Sequence, residues 1–123
     1  MLRALAVVFG ILFLVIGVLG FVPSMTPNGL LFEYFQVNSA HNIVHLLTGV
    51  VALFAGLSGA VASLWFFRLF GLVYAAVALH GFIRPGDMIL GVIANNTADT
   101  WLHAGIALVS LLIGFGCCSR CKS

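Results

Sequence analysis

The side chains with chemical potential in this 123-residue chain are four histidines, three acidic residues and three cysteines. His41 and His45 are four residues apart, as are Asp99 and His103, so on helices each pair occupies one face. Together they offer three imidazoles and one carboxylate. That set suits zinc, or another imidazole-binding transition metal such as iron or copper, provided the two faces converge to bonds of about 2 Å. His80 could join the cluster, and Glu33 could supply an acid. A haem between His45 and His103 is a second use, because histidines on facing helices of a bundle can hold a cofactor in its core. The competing structural use is hydrogen bonding between helices, each imidazole paired with Asn42, Thr48 or the opposite histidine.

Asn38 and Asn96 stand where helices should start, and their side-chain oxygens can accept from otherwise unpaired amides of the first turn. Asp99, three residues after Asn96, can reach back to the cap amide and meets the positive end of the helix dipole. His45 and His103 lie seven residues past these caps, about 10 Å along a helix. That depth places them near or within an apolar slab, where ionisable residues face a bundle interior or a wet cavity.

Cys117, Cys118 and Cys121 sit at the C-terminal end, and Cys118 and Cys121 form a C-x-x-C. Reversible acylation beside a membrane span is the expected modification. Zinc binding or thiol exchange has little support from three cysteines. The sequence contains no Gly-rich phosphate loop, Ser-His-Asp set or Walker motif, so ordinary hydrolase or kinase chemistry has nothing to stand on.

The elements that must position these residues are apolar helices. Apolar residues make up 63% of the chain and charged residues 7%, against about 25% charged in a soluble domain. Spans are expected at roughly 4 to 22, 41 to 60, 65 to 83 and 98 to 117, with Pro23, Pro27 and Pro85 between them. The first stretch is longer than the apolar run of a secretory signal, so it reads as a retained span. Arg3, Arg68, Arg120 and Lys122 fall at one side and Arg84 at the other. The positive-inside rule then puts both termini in the cytoplasm, with loops 23 to 40 and 84 to 97 outward. Arg68 is expected to snorkel back to the headgroups. A net charge of +2 with scattered basic residues gives no reason to expect nucleic acid as a partner.

A shift of 58 positions lays Asn38-Ser-Ala-His-Asn-Ile-Val-His45 on Asn96-Thr-Ala-Asp-Thr-Trp-Leu-His103, and Pro27 on Pro85. A duplicated helical hairpin follows, with repeat one at about 1–60 and repeat two at about 61–116. Two spans per copy give both copies one orientation, hence a pseudo-two-fold axis along the membrane normal. Small residues at Gly17 and Gly20, Ala52 and Gly56, Ala55 and Gly59, and Gly71 and Ala75 allow close helix approach.

These residues carry a family likeness. Gly29-Leu-Leu-Phe, Val37-Asn38, His41-Asn-Ile-Val-His-Leu-Leu-Thr-Gly49 and Ala98-Asp-Thr-Trp-Leu-His103 resemble a family of small bacterial four-span membrane proteins that is a domain of unknown function. The likeness covers nearly the whole chain to about residue 116. It implies a fold and no activity, and the cysteine tail departs from its pattern.

The expectation is an all-α transmembrane four-helix bundle: one domain over 1–116 and a short cytoplasmic tail over 117–123. It is expected in a bacterial inner membrane, among lipid, as a homo-oligomer or a subunit of a larger complex. Three functions compete. The first is a non-catalytic module whose polar cluster pins the hairpins together. The second is metal or haem binding at His41, His45, Asp99 and His103. The third is passage of an ion or proton, for which the inner half shows no polar path apart from Ser, Thr and Tyr74.

Overall fold

A computed structural model describes residues 1–116. Four α-helices carry the chain: α1 (Leu2–Leu19), α2 (Ser39–Ser58), α3 (Ala60–Ile83) and α4 (Thr97–Gly116). All four are long and apolar enough to cross a membrane. Val15, Phe54, Leu69 and Leu112 are among the large apolar side chains on their outer surfaces, a distribution that water would penalise and lipid accepts. The chain is an integral membrane protein built as a four-helix bundle.

The helices pack as two hairpins, α1 against α2 and α3 against α4. Glycine lets the backbones interlock within the first. A Cβ on Gly10 would lie 2.8 Å from the Gly49 carbonyl oxygen, and one on Gly49 the same distance from that of Gly10. In the second hairpin a Cβ on Gly71 would meet Leu111, and one on Gly114 the backbone of Arg68. Lipid tails are as apolar as leucine, so such close van der Waals contact, rather than hydrophobic burial, drives helices together.

Between the hairpins lies an aromatic seam. Phe9 meets Phe67 edge-on at 5.1 Å, Phe13 meets Phe70 at 5.4 Å, and Phe70 lies 4.3 Å from Tyr74. These rings join α1 to α3 through the middle of the bundle.

The third helix begins earlier than the expected start at residue 65: α3 starts at Ala60, leaving Gly59 as the whole connection from α2. Gly59 adopts φ 146° and ψ 179°, a region essentially restricted to glycine. Ser63, which reads as a loop residue, is accommodated inside α3 because its hydroxyl donates to the Gly59 carbonyl at 2.8 Å. This end of the bundle is the turn end; the other carries both long connections and is the loop end.

At the turn end two arginines close the bundle. Arg3 Nε donates to the Gly56 carbonyl at 3.0 Å, and Arg68 Nε to the Gly114 carbonyl at 2.7 Å. Both carbonyls belong to last turns, where a cation also meets the negative end of the helix dipole. Arg68 further lies over Trp65 at 5.3 Å and Phe115 at 5.1 Å. Its guanidinium is therefore engaged by the protein itself, where the sequence suggested a side chain reaching out to headgroups.

The loop connections contain short extended brackets. In the first, β1 (Leu30–Leu31) pairs antiparallel with β2 (Phe35–Gln36), Leu31 opposite Phe35. In the second, Ile89 bridges Ile93. Asn28, Gly29, Phe32 and Glu33 have positive φ in the first loop, and Gly86, Leu90 and Gly91 in the second.

Candidate functional site

The loop end concentrates buried polarity. His41, Asn42, His45, Asn95, Asp99, Thr100 and His103 are all buried, none more than 6% exposed. Polar groups withdrawn from water at membrane depth are costly unless paired, so their partners decide what the cluster is for.

Asn38 precedes α2 in extended conformation, and its Oδ1 accepts from the His41 backbone N–H at 2.9 Å. Asn96 does the same for α4, accepting from the Asp99 N–H at 2.9 Å. The Asp99 carboxylate returns the bond, Oδ2 accepting from the Asn96 N–H at 3.0 Å, which makes a reciprocal capping pair. The amide nitrogens of both asparagines then cross to the opposite loop. Asn38 Nδ2 donates to the Val92 carbonyl and Asn96 Nδ2 to the Tyr34 carbonyl, each at 2.9 Å. Asn38 Oδ1 also accepts from the Ala94 N–H at 3.3 Å. Each cap therefore also ties its own hairpin to the connection of the other.

Deeper polar residues bind within a hairpin. Asn42 Nδ2 donates to the Gly20 carbonyl at 2.8 Å, joining α2 to the end of α1. Thr100 donates to the Asn96 carbonyl at 3.1 Å and receives Asn95 Nδ2 at 3.4 Å. A Cβ at Gly81 would run into the Thr100 side chain, so α3 and α4 approach closely there.

The three imidazoles of α2 and α4 face inward. His41 lies 4.5 Å from His45 and 5.9 Å from His103, ring centre to ring centre. His41 Nδ1 donates to the Gln36 carbonyl at 3.1 Å, because a carbonyl can only accept. His45 meets Phe13 edge-on at 5.5 Å, and His103 meets Tyr74 at 5.3 Å. The Nδ1 atoms of both are buried without a partner, as are Asn42 Oδ1, Asn95 Oδ1 and, in the last turn of α3, His80 Nδ1.

Nothing in this geometry favours the expected metal quartet of His41, His45, Asp99 and His103. Among the described residues, no group of three or more His, Cys, Asp or Glu is placed to hold a metal ion, and this includes His80. The reason is local: Asp99 is turned back onto the Asn96 amide, and His41 is committed to a loop carbonyl. Glu33 is exposed at a positive-φ position of the first loop. Cys117, Cys118 and Cys121 lie outside the described residues.

A family model for a domain of unknown function, DUF4383, matches residues 3–116. The chain belongs to the DUF4383 family. No curated protein and no solved structure matches it.

For this DUF4383 chain, sequence reasoning missed the crossing role of the asparagine amides. It also missed Asn95, which stands one residue before the cap, and Thr100. Asn95 next to the Asn96 cap, and Asn42 and Thr100 at matching positions four residues past the caps, were the available signal. Sequence reasoning gave no hint of the large groove between α2 and α3. That groove is a cavity of about 670 Å³, walled by apolar side chains such as Val51, Trp65, Leu69 and Val73, with His41, His103 and Tyr74 also among its lining residues.

Proposed function

We propose that this DUF4383 protein is a non-catalytic membrane module, an accessory subunit or scaffold, whose loop-end cluster pins two hairpins into one unit. The observation that carries this reading is the use made of the polar side chains. Asn38, Asn96, Asp99 and His41 are all bonded to backbone groups, and two of them bridge hairpins. Groups spent on main-chain partners hold the fold in place.

The same reading takes the chain as one domain with two sister hairpins related by a pseudo-two-fold axis along the membrane normal. Several correspondences at an offset of 58 residues support it. The Asn38–Val92 bond becomes Asn96–Tyr34 under exchange of the two halves. The Leu31–Phe35 pair corresponds to the Ile89–Ile93 bridge, and the positive-φ positions 28, 32 and 33 to 86, 90 and 91.

The proposed setting is a bacterial inner membrane with both termini cytoplasmic. Arg3 and Arg68 at the turn end, with Arg120 and Lys122 beyond α4, outweigh Arg84 at the loop end. The loop end then faces outward. An Asp87→Cys protein with the tail cysteines changed to serine should react with an impermeant maleimide on intact cells. Reaction only after lysis would reverse the orientation.

The function itself is tested by a deletion strain complemented with variants. A scaffold predicts that His45→Leu/His103→Leu protein keeps its fold, its assembly size in mild detergent and its complementation. Folded, correctly assembled double variant that fails to complement would show that the imidazoles do chemistry, and the scaffold reading would fall.

A further inference from the structure

We infer that the Arg68 guanidinium at the turn end is a binding site for an anionic phospholipid of the surrounding bilayer, held by its phosphate. This goes beyond the scaffold role and does not depend on it, and it holds in either orientation of the chain.

The distribution of charge is lopsided. The acidic residues of the chain are Glu33, Asp87 and Asp99, and all of them lie at the loop end, in the two long connections and the first turn of α4. There Arg84 has Asp87 as its partner at 3.8 Å. Arg3 and Arg68 close the opposite end, where no carboxylate side chain stands within reach of either. A cation placed beside lipid with no counter-charge from its own helices attracts an anionic headgroup.

The two arginines differ in what they leave free. Arg3 spends both Nε and Nη2, on the carbonyls of Gly56 and Leu57. Arg68 spends Nε alone, on the Gly114 carbonyl, and its Nη1 and Nη2 have no acceptor among the described residues. Neither nitrogen is sealed inside the protein, so this edge of the guanidinium opens onto the surface. The Nε bond and the Trp65 and Phe115 rings, at 5.3 and 5.1 Å, hold the group in place, which leaves little side-chain freedom to lose on binding. The planar guanidinium offers parallel N–H groups that a phosphate accepts together.

Location selects a lipid over a soluble anion. Helix side chains tilt toward the helix N-terminus, which carries the head of Arg68 from the third turn of α3 toward Ala60 and the headgroups. Trp65 and Phe115 beside it are more than half exposed, and aromatic rings on the outside of a span sit at headgroup level. Leu72 and Leu112 continue that exposed surface toward the middle of the bundle, where the acyl chains of the same lipid lie.

The test reads the two tryptophans separately in nanodiscs of phosphatidylcholine and phosphatidylglycerol, with dibrominated chains on one lipid at a time as contact quenchers. In Trp101→Phe protein, quenching of Trp65 should show phosphatidylglycerol preferred about fivefold, the worth of one arginine near a headgroup. In Trp65→Phe protein, Trp101, exposed at the end where the acids lie, should show a ratio near one. Arg68→Gln should bring the Trp65 ratio to about one; if that variant folds poorly, the contrast between the two tryptophans still decides. Glycerophosphoglycerol, the same head without chains, should leave the Trp65 ratio unchanged when compared with sodium chloride of equal ionic strength. Equal ratios at both tryptophans, a Trp65 ratio unmoved in folded Arg68→Gln protein, or displacement of the lipid by the soluble head would overturn the assignment.

Discussion

The crossing asparagines lend themselves to a quantitative test, because one side chain performs two separable tasks. Asn38→Ala removes the cap bond to the His41 N–H together with the bonds to Val92 and Ala94. Loss of an asparagine cap costs about 1 kcal/mol, and a hydrogen bond between membrane helices averages about 0.6 kcal/mol. The Val92 bond is solvent-exposed and lies at the low end of that scale, so the total comes to about 2 kcal/mol. Asn38→Asp separates the two tasks. It keeps an oxygen for the cap and adds a favourable charge at the helix N-terminus of about 0.3–1 kcal/mol, yet it replaces the donor to Val92 with a second acceptor. If the clasp matters, the aspartate variant is less stable than wild type despite its better cap. The assay is reversible SDS-induced unfolding in mixed micelles, followed by circular dichroism. Combining Asn38→Ala with Asn96→Ala adds a second criterion. Either crossing bond alone can hold the loops together, so the double variant should lose at least about 0.5 kcal/mol more than the sum of the singles. An aspartate variant as stable as wild type, with strictly additive alanine losses, would refute the clasp.

Other consequences are simpler. Gly49→Ala should destabilise by about 1–3 kcal/mol, because its Cβ would sit 2.7 Å from Leu14 Cγ and 2.9 Å from the Leu14 backbone nitrogen. Gly105→Ala, with nothing within 4 Å of its Cβ, should instead be neutral or stabilise by up to about 1 kcal/mol; both are read in the same unfolding assay. Arg68→Gln should lower stability by about 1–2 kcal/mol through loss of the Gly114 bond and the stacking on Trp65 and Phe115, with a change in Trp65 emission as the local signature. His45→Leu replaces a buried ring with an unpaired nitrogen by an apolar group of similar reach, so stability should hold or rise by up to about 1 kcal/mol. A loss above about 2 kcal/mol would mean that His45 has a polar partner worth keeping.

The bundle was legible because its information is compositional and local. Long apolar runs between Pro23, Pro27 and Pro85 force helices, and the four helices follow with ends shifted by a few residues. The start of α3 was misplaced because the expected second span ran on to residue 60, through Gly59, and Ser63 fell in the gap left before residue 65. Serine hydroxyls can fold back onto helix carbonyls, as Ser63 and Ser58 both do, and a sequence does not reveal which option a serine takes. The candidate site was harder, since i and i+4 spacing places side chains on a face without saying where they turn. Asp99 shares a face with His103, and of the two uses the sequence offered its carboxylate takes the local one, turning back to the otherwise unpaired Asn96 amide. The brackets at Leu31–Phe35 and Ile89–Ile93 were invisible because strands this short leave no alternating pattern.

The two ends of the bundle are held by different means, and that difference explains where the groove lies. At the turn end α2 and α3 are joined by Gly59 alone, and Arg3 and Arg68 tie α1 to α2 and α3 to α4. At the loop end the crossing bonds of Asn38 and Asn96 run between connections. Neither set bridges α2 to α3 along its length, and the aromatic seam that joins the hairpins uses α1 and α3 instead. The α2–α3 face is thus restrained at its two ends and left unfilled between them. In lipid an unfilled apolar groove costs little, because tails as apolar as leucine can enter it.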